Sequence, residues 1–282
     1  MSQTLQGSQT SKFVKKLASN DRPTREAAFK SLKKYLSAKS SSQLSLLELQ
    51  KLWKGLYYAM WFCDRPGPQQ RLAESLGELF SSVISIELHA RFLEAFWVII
   101  INEWPHIDQW RIDKYYLLIR RVLRHNFIQL KSRGWDDRYV NEFLKTLEKL
   151  PLSGEKSVSV ALPYHLCDIY IDEMELVLFN ELSEETEENE DNEEDGKNVS
   201  QKKREILDET PISLLISPFI SLSKKALLKT LREKCKEDVI KDKRLKEWGI
   251  LGDEDGSSDL QGERNEEHNE GEESDEEWTG FS

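Results

Sequence analysis

RFLEAFWVIIINEWPHIDQWRIDKYYLLIRRVLRHNFIQL, residues 91–130, is the stretch whose reading decides the fold. It begins apolar on almost every side, with Phe92, Leu93, Phe96, Trp97, Val98, Ile99, Ile100, Ile101 and Trp104. A helix of that kind is surrounded by protein. Pro105 is expected to end it, because the residue before a proline is pushed out of the helical region. Asp108 then offers a side-chain oxygen to cap a second helix. At about 100° per residue, Ile112, Tyr115, Tyr116, Ile119, Val122, Leu123, Phe127 and Leu130 fall on one face. Lys114, Arg120, Arg121, Arg124, His125 and Lys131 fall opposite, with Asp113 among them. The reading is a buried helix followed by one with an apolar back and a basic front.

Working outward, the same pattern recurs. Residues 19–36 carry Phe29, Leu32 and Leu36 as one stripe, with Asp21 as a capping acid and Pro23 in the first turn. Residues 44–63 are a long apolar and aromatic helix that breaks at Asp64-Arg65-Pro66-Gly67-Pro68. A further helix follows at 69–81. Asp-Arg-Pro therefore occurs at 21–23 and 64–66, and Asp108 follows the Pro105 corner one interval later. Helix pairs repeating at about 40–47 residues are the mark of HEAT or armadillo stacks. With a helix at 136–150, another at 158–182 entered through Pro163, and no sustained period-two alternation, the expected fold is all-α, a HEAT/armadillo-like stack of helical repeats.

Charge divides the chain. Residues 1–182 hold 25 Lys/Arg against 21 Asp/Glu, residues 183–195 nine acids and no base, residues 196–251 fourteen bases and eight acids, and residues 252–282 thirteen acids and one base. The net charge of −11 thus sits in two acidic runs, and it does not exclude an anionic partner. The expected organisation is a flexible N-terminus (1–11), a repeat domain (12–182), a disordered acidic insert with a basic linker (183–205), helices docked on the repeats (206–250) and a disordered acidic tail (251–282) with Trp278 and Phe281. Cys63, Cys167 and Cys235, odd in number and scattered, suggest a reducing compartment without a disulfide framework or zinc site. The first residues lack an apolar signal region, and the longest apolar run is too short to span a membrane.

Candidate sites follow from these faces. His165-Leu166-Cys167-Asp168 puts catalytic residue types together, but on one helix residues 165 and 167 point about 200° apart. The sequence also carries no Gly-rich phosphate loop, Gly-x-Ser-x-Gly or HExxH, so no catalysis, metal, cofactor or small-molecule substrate is expected. Lys114, Arg120, Arg121, Arg124 and Lys131 are the first candidates for contact with RNA phosphates or an acidic partner, since guanidinium forks suit phosphate. The competing reading is a solvated face partly paired with acids of a neighbouring repeat. Lys224, Lys225, Lys229, Lys243 and Arg244 form a secondary basic cluster; Lys202, Lys203 and Arg204 are a candidate import signal; Ser183, Thr186 and Ser274 precede acids and are candidate phosphosites. The aromatic residues, at helical spacing, are expected in the core or at an interface.

LASNDRPTREAAFKSLKKYL, KLWKGLYYAMWFCDRPGPQQRLAESL and FWVIIINEWPHIDQWRIDKYYLLIRRVL, with LPYHLCDIYIDEMELVL after them, resemble the ribosomal RNA processing protein 1 family over about residues 12–180. The resemblance implies a non-catalytic factor of the nucleus and nucleolus. It would act in precursors of the large ribosomal subunit, beside other assembly factors and ribosomal proteins, and support precursor rRNA processing. Larger members carry a long C-terminal extension that is not seen here. Two readings stay open: a scaffold that touches precursor rRNA directly, and a protein-only adaptor, of nuclear transport or another complex, that does not. No dimer signature is visible.

Overall fold

Long helices with apolar residues on more than one side are stable only when neighbours cover each side, and stacking supplies those neighbours. The computed structural model describes residues 13–188 and 193–250. After a helical stretch at 13–17 come α1 (Arg22–Leu36), α2 (Leu46–Trp61), α3 (Pro66–Glu78), α4 (Ile86–Glu103), α5 (Ile112–Lys131), α6 (Asp137–Lys149) and α7 (Ala161–Glu188). Then follow α8 (Glu193–Glu209), α9 (Ile212–Leu215), α10 (Ser217–Lys225), α11 (Lys229–Lys234) and α12 (Lys243–Glu247). π-helical turns at Leu79–Val83 and Cys235–Ile240 extend α3 and α11. Among the described residues there is no strand, and no single helix is long and apolar enough to cross a membrane.

Packing runs from each helix to the next but one. α2 lies on α4 and α4 on α6, while α3 lies on α5 and α5 on α7. Two layers of stacked helices result, which is the all-α helical repeat expected from the sequence.

The helix starts show why the corners fall where they do. The Asp21 carboxylate accepts from Thr24 N at 2.9 Å, and proline occupies the first turn of α1. Ser45 and Glu48 form a reciprocal capping box at α2. Pro66 opens α3, where its missing N–H costs nothing. The third corner departs from expectation. Trp104 keeps helical angles (φ −52°, ψ −45°), and the chain leaves α4 through a 3₁₀ turn, Trp104–His106. Asp108 does not cap α5. It accepts from Trp110 N at 3.0 Å and pairs with Arg111, closing the turn before the helix.

α4 is buried along Phe92, Leu93, Phe96, Trp97 and Ile100, with Val98, Ile99 and Ile101 half-buried. Trp53 of α2 sits against Phe80, Phe92 and Phe96, and its indole N–H donates to Phe92 O at 3.1 Å. One centre therefore joins three helices. Trp110, by contrast, is 85% exposed at the third corner.

α7 is covered on two sides. Tyr170 and Met174 face inward, while Cys167 meets Cys235 with sulfurs 3.7 Å apart, and the Tyr170 hydroxyl donates to Leu215 O at 2.8 Å. The segment after residue 206 is packed on this helix. The backbone is helical to Glu188 and again from Glu193, and the centre of the acidic insert, residues 189–192, lies outside the described residues. Residues 1–11 and the tail 251–282, including Ser274, Trp278 and Phe281, lie outside the described residues.

Two predictions follow from the packing. A Cβ on Gly77 of α3 would lie 2.3 Å from His125 Cδ2 and 3.0 Å from Arg121 O. Gly77→Ala should therefore cost about 1–3 kcal/mol in denaturant unfolding. Gly67→Ala, whose Cβ meets nothing closer than Arg71 Nη1 at 3.5 Å, should not; equal loss in both variants rules out the close approach as the cause. His89 is buried with its Nε2 unpartnered, and burial lowers its pKa from 6.5 to about 4. The unfolded chain takes the proton first, so this contribution to stability is present above pH 6.5 and lost as pH falls toward 4. Melting temperature should drop across that window, and His89→Leu should flatten the drop.

Candidate functional site

A basic helix face is available to a partner only if the fold leaves it uncovered. On α5 the fold covers it: of its twenty residues, Asp113 alone is exposed. Arg120 and Arg124 converge on Glu173 of α7, whose side chain is wholly buried; Arg124 Nε lies 2.5 Å and Nη2 3.2 Å from its oxygens, and Arg120 Nη2 also reaches Asp172 at 3.3 Å. Arg121 Nε lies 2.8 Å from Glu74 of α3. His125 sits 2.9 Å from the other Glu74 oxygen and 2.8 Å from Ser81 Oγ. Lys131 Nζ donates to Val177 O at 3.0 Å. The face expected to meet a partner is therefore largely ion-paired along a seam among α3, α5 and α7, with the Arg120 side chain still 37% exposed. Periodicity separates charged from apolar faces but does not say whether the charged one meets water or a matching carboxylate.

Lys114 is buried as well, 4% exposed, and donates to Trp61 O at 2.7 Å and Cys63 O at 3.0 Å. It neutralises the unpaired carbonyls at the end of α2. Arg25 does the same from the other side, donating to Phe62 O at 3.1 Å while holding Ser19 O and Asn20 O. The Arg111 guanidinium lies 4.4 Å over the Trp61 ring. These cations tie the three corners into one edge.

The remaining candidates divide by exposure. Lys224, Lys225, Lys229 and Lys243 are exposed, with Lys229 paired to Glu233 at 3.5 Å. Arg244 is committed to Asp172, Glu175 and Asp242 at 3.0, 2.8 and 2.6 Å. Lys202, Lys203 and Arg204 lie on α8, Lys203 over the Phe179 ring at 4.9 Å. Ser183 and Thr186 fall in the last turns of α7.

Catalytic residue types are dispersed. His165 bonds to Tyr116 O, Cys167 meets Cys235, and Asp168 pairs with Lys234. Glu74, His125 and Ser81 do align as an acid, an imidazole and a hydroxyl. His125 is buried against Gly77, however, and the alignment clamps α3 to α5.

Residues 8–281 match the family described as nucleolar protein, Nop52. The chain belongs to this family. Among similar proteins are ribosomal RNA processing protein 1 homolog B of Homo sapiens, 39% identical over 173 residues, and homolog A of Mus musculus, 34% identical over 174 residues. A third is the Caenorhabditis elegans homolog, 34% identical over 164 residues. These alignments take in 60%, 61% and 58% of this chain but only 23%, 35% and 41% of the relatives. The chain is thus similar to the proteins whose motifs it resembles, and it spans well under half of their length.

One feature is masked in the charge of residues 1–182 taken as a whole. Residues 13–71 hold twelve Lys/Arg against four Asp/Glu, a bias diluted by the acids that follow. A shorter window would have found it. There the Arg65 and Arg71 guanidiniums are exposed and make no ion pair or hydrogen bond among the described residues.

The α3–α5–α7 seam can be tested directly. Glu173→Ala leaves two guanidiniums facing an apolar gap and should cost about 3 kcal/mol, the low end for breaking a buried pair, because both arginines keep some access to water. Glu142→Ala, whose pair with Arg138 is exposed, should leave melting unchanged. If Glu173→Ala melts like the wild type, the seam does not hold the stack together.

Proposed function

We propose that this chain is a non-catalytic scaffold in nucleolar ribosome biogenesis, supporting precursor rRNA processing within large-subunit precursor particles. Membership of the Nop52 family over residues 8–281 carries the reading, and the names of its relatives supply rRNA processing. The fold suits the role. A two-layer stack of helices offers an extended surface along which several factors can dock side by side.

Contact with precursor rRNA is assigned to the exposed lysines Lys224, Lys225, Lys229 and Lys243. The α5 cations are compensated by Glu74, Asp172 and Glu173 and would have to break those pairs to reach a phosphate. Solvent-exposed lysines gain by releasing the counterions of a phosphate backbone. That same internal compensation favours a second reading, the protein-only adaptor, in which neighbouring factors alone hold the chain in the particle.

Crosslinking in cells separates the two. Peptides spanning residues 224–243 should crosslink to large-subunit precursor RNA, and reversing the four lysines to glutamate should weaken particle association while melting stays the same. Particle association without any RNA crosslink would favour the adaptor. Depletion should stall large-subunit precursors while small-subunit RNA matures; a defect confined to the small subunit would sink both readings.

A further inference from the structure

The corner edge contains a cleft that the scaffold role does not use. It opens between α1, the end of α2 and the start of α3, and encloses about 570 Å³. That is within the usual size of a ligand pocket. Phe29, Ala59, Phe62 and Leu72 give it an apolar floor, and four guanidiniums, from Arg22, Arg25, Arg65 and Arg71, surround it.

The acids at the rim are already matched. Glu26 pairs with Arg22 at 2.7 Å, and Asp64 lies 3.6 Å from the Lys114 ammonium. Arg25 is held by three backbone carbonyls and lies 5.9 Å over the Phe62 ring, so this wall is set before anything binds. The charge left over is that of Arg65 and Arg71, both exposed and unpaired among the described residues. An apolar hollow beside two free guanidiniums matches a chain in which carboxylates flank one apolar side chain. Guanidiniums bind carboxylates through paired hydrogen bonds, and the buried anchor gives the larger share of affinity.

A nucleic acid fits less well. Base stacking needs an open ring face, whereas Phe29 and Phe62 are half-buried and share the floor with Ala59 and Leu72. We propose that this cleft docks an acidic peptide segment of a partner protein, with an aromatic or aliphatic side chain seated on Phe29, Phe62 and Leu72 and carboxylates on Arg65 and Arg71. The proposal stands on the cleft alone and holds whether or not the chain touches RNA.

Fluorescence anisotropy on the full chain provides the test, using a labelled synthetic peptide of Asp and Glu around one central Trp. Saturable binding on the order of micromolar is expected, weakening as salt rises. Arg65→Glu with Arg71→Glu, at surface positions that leave melting unchanged, should weaken it by at least about tenfold, as should replacing the peptide's Trp by Gly. Phe29→Ala should do likewise, and the peptide-side change carries the same test if that variant fails to fold. The proposal is overturned if the wild type does not bind, if the double reversal binds normally, or if the Trp-free peptide binds equally well. An oligouridine strand that binds and displaces the peptide would make the cleft a nucleic-acid surface instead.

Discussion

The arrangement of the stack depends on one buried carboxylate. Glu173 has no solvent exposure, and an unpaired charge there would be strongly unfavourable. Arg120 and Arg124, one turn apart on α5, both reach it. Because those three groups meet in only one register, they fix how α7 lies along α5. α7 in turn carries the C-terminal helices, through Tyr170 to Leu215, Cys167 against Cys235, Asp168 to Lys234 and Asp172 to Arg244. A slip of α7 by one turn would break all of these contacts together.

The same use of cations recurs at the corners. Lys114 and Arg25 converge on the carbonyls that end α2, and Arg91 holds Leu44 O and Ser42 O ahead of it. Helix ends in a stack are crowded with unpaired carbonyls, and long cationic side chains from adjacent repeats can satisfy them without added loops. Much of the basic character is therefore structural. Other cations stay exposed, among them Arg65 and Arg71 near the second corner and the lysines Lys224, Lys225, Lys229 and Lys243 of α10 to α12.

Charges buried between helices, such as Glu173 with Arg120 and Arg124, hold the stack together, while cations such as Arg65, Arg71 and Lys224 stay exposed to solvent.

The helices, their corners and the two-layer stack were legible in the sequence, because apolar periodicity and proline placement are local and act within a few residues. The Asp21 cap and the break at Asp64–Pro68 follow from neighbours in the chain, whereas Trp53 meets Phe80, Phe92 and Phe96 only through packing between helices. The motifs also carried the family. What the sequence did not decide was which charges would be free. Arg120, Arg124 and Lys114 read as a partner surface because nothing near them in sequence opposes them; their partners, Glu173 and the carbonyls of Trp61 and Cys63, lie about fifty residues away. Only tertiary packing brings such groups within a few ångströms. The sequence by itself determined the stacked helices, and the tertiary structure decided that the charges of α5 bind the stack and that those of Arg65, Arg71 and the C-terminal lysines face outward.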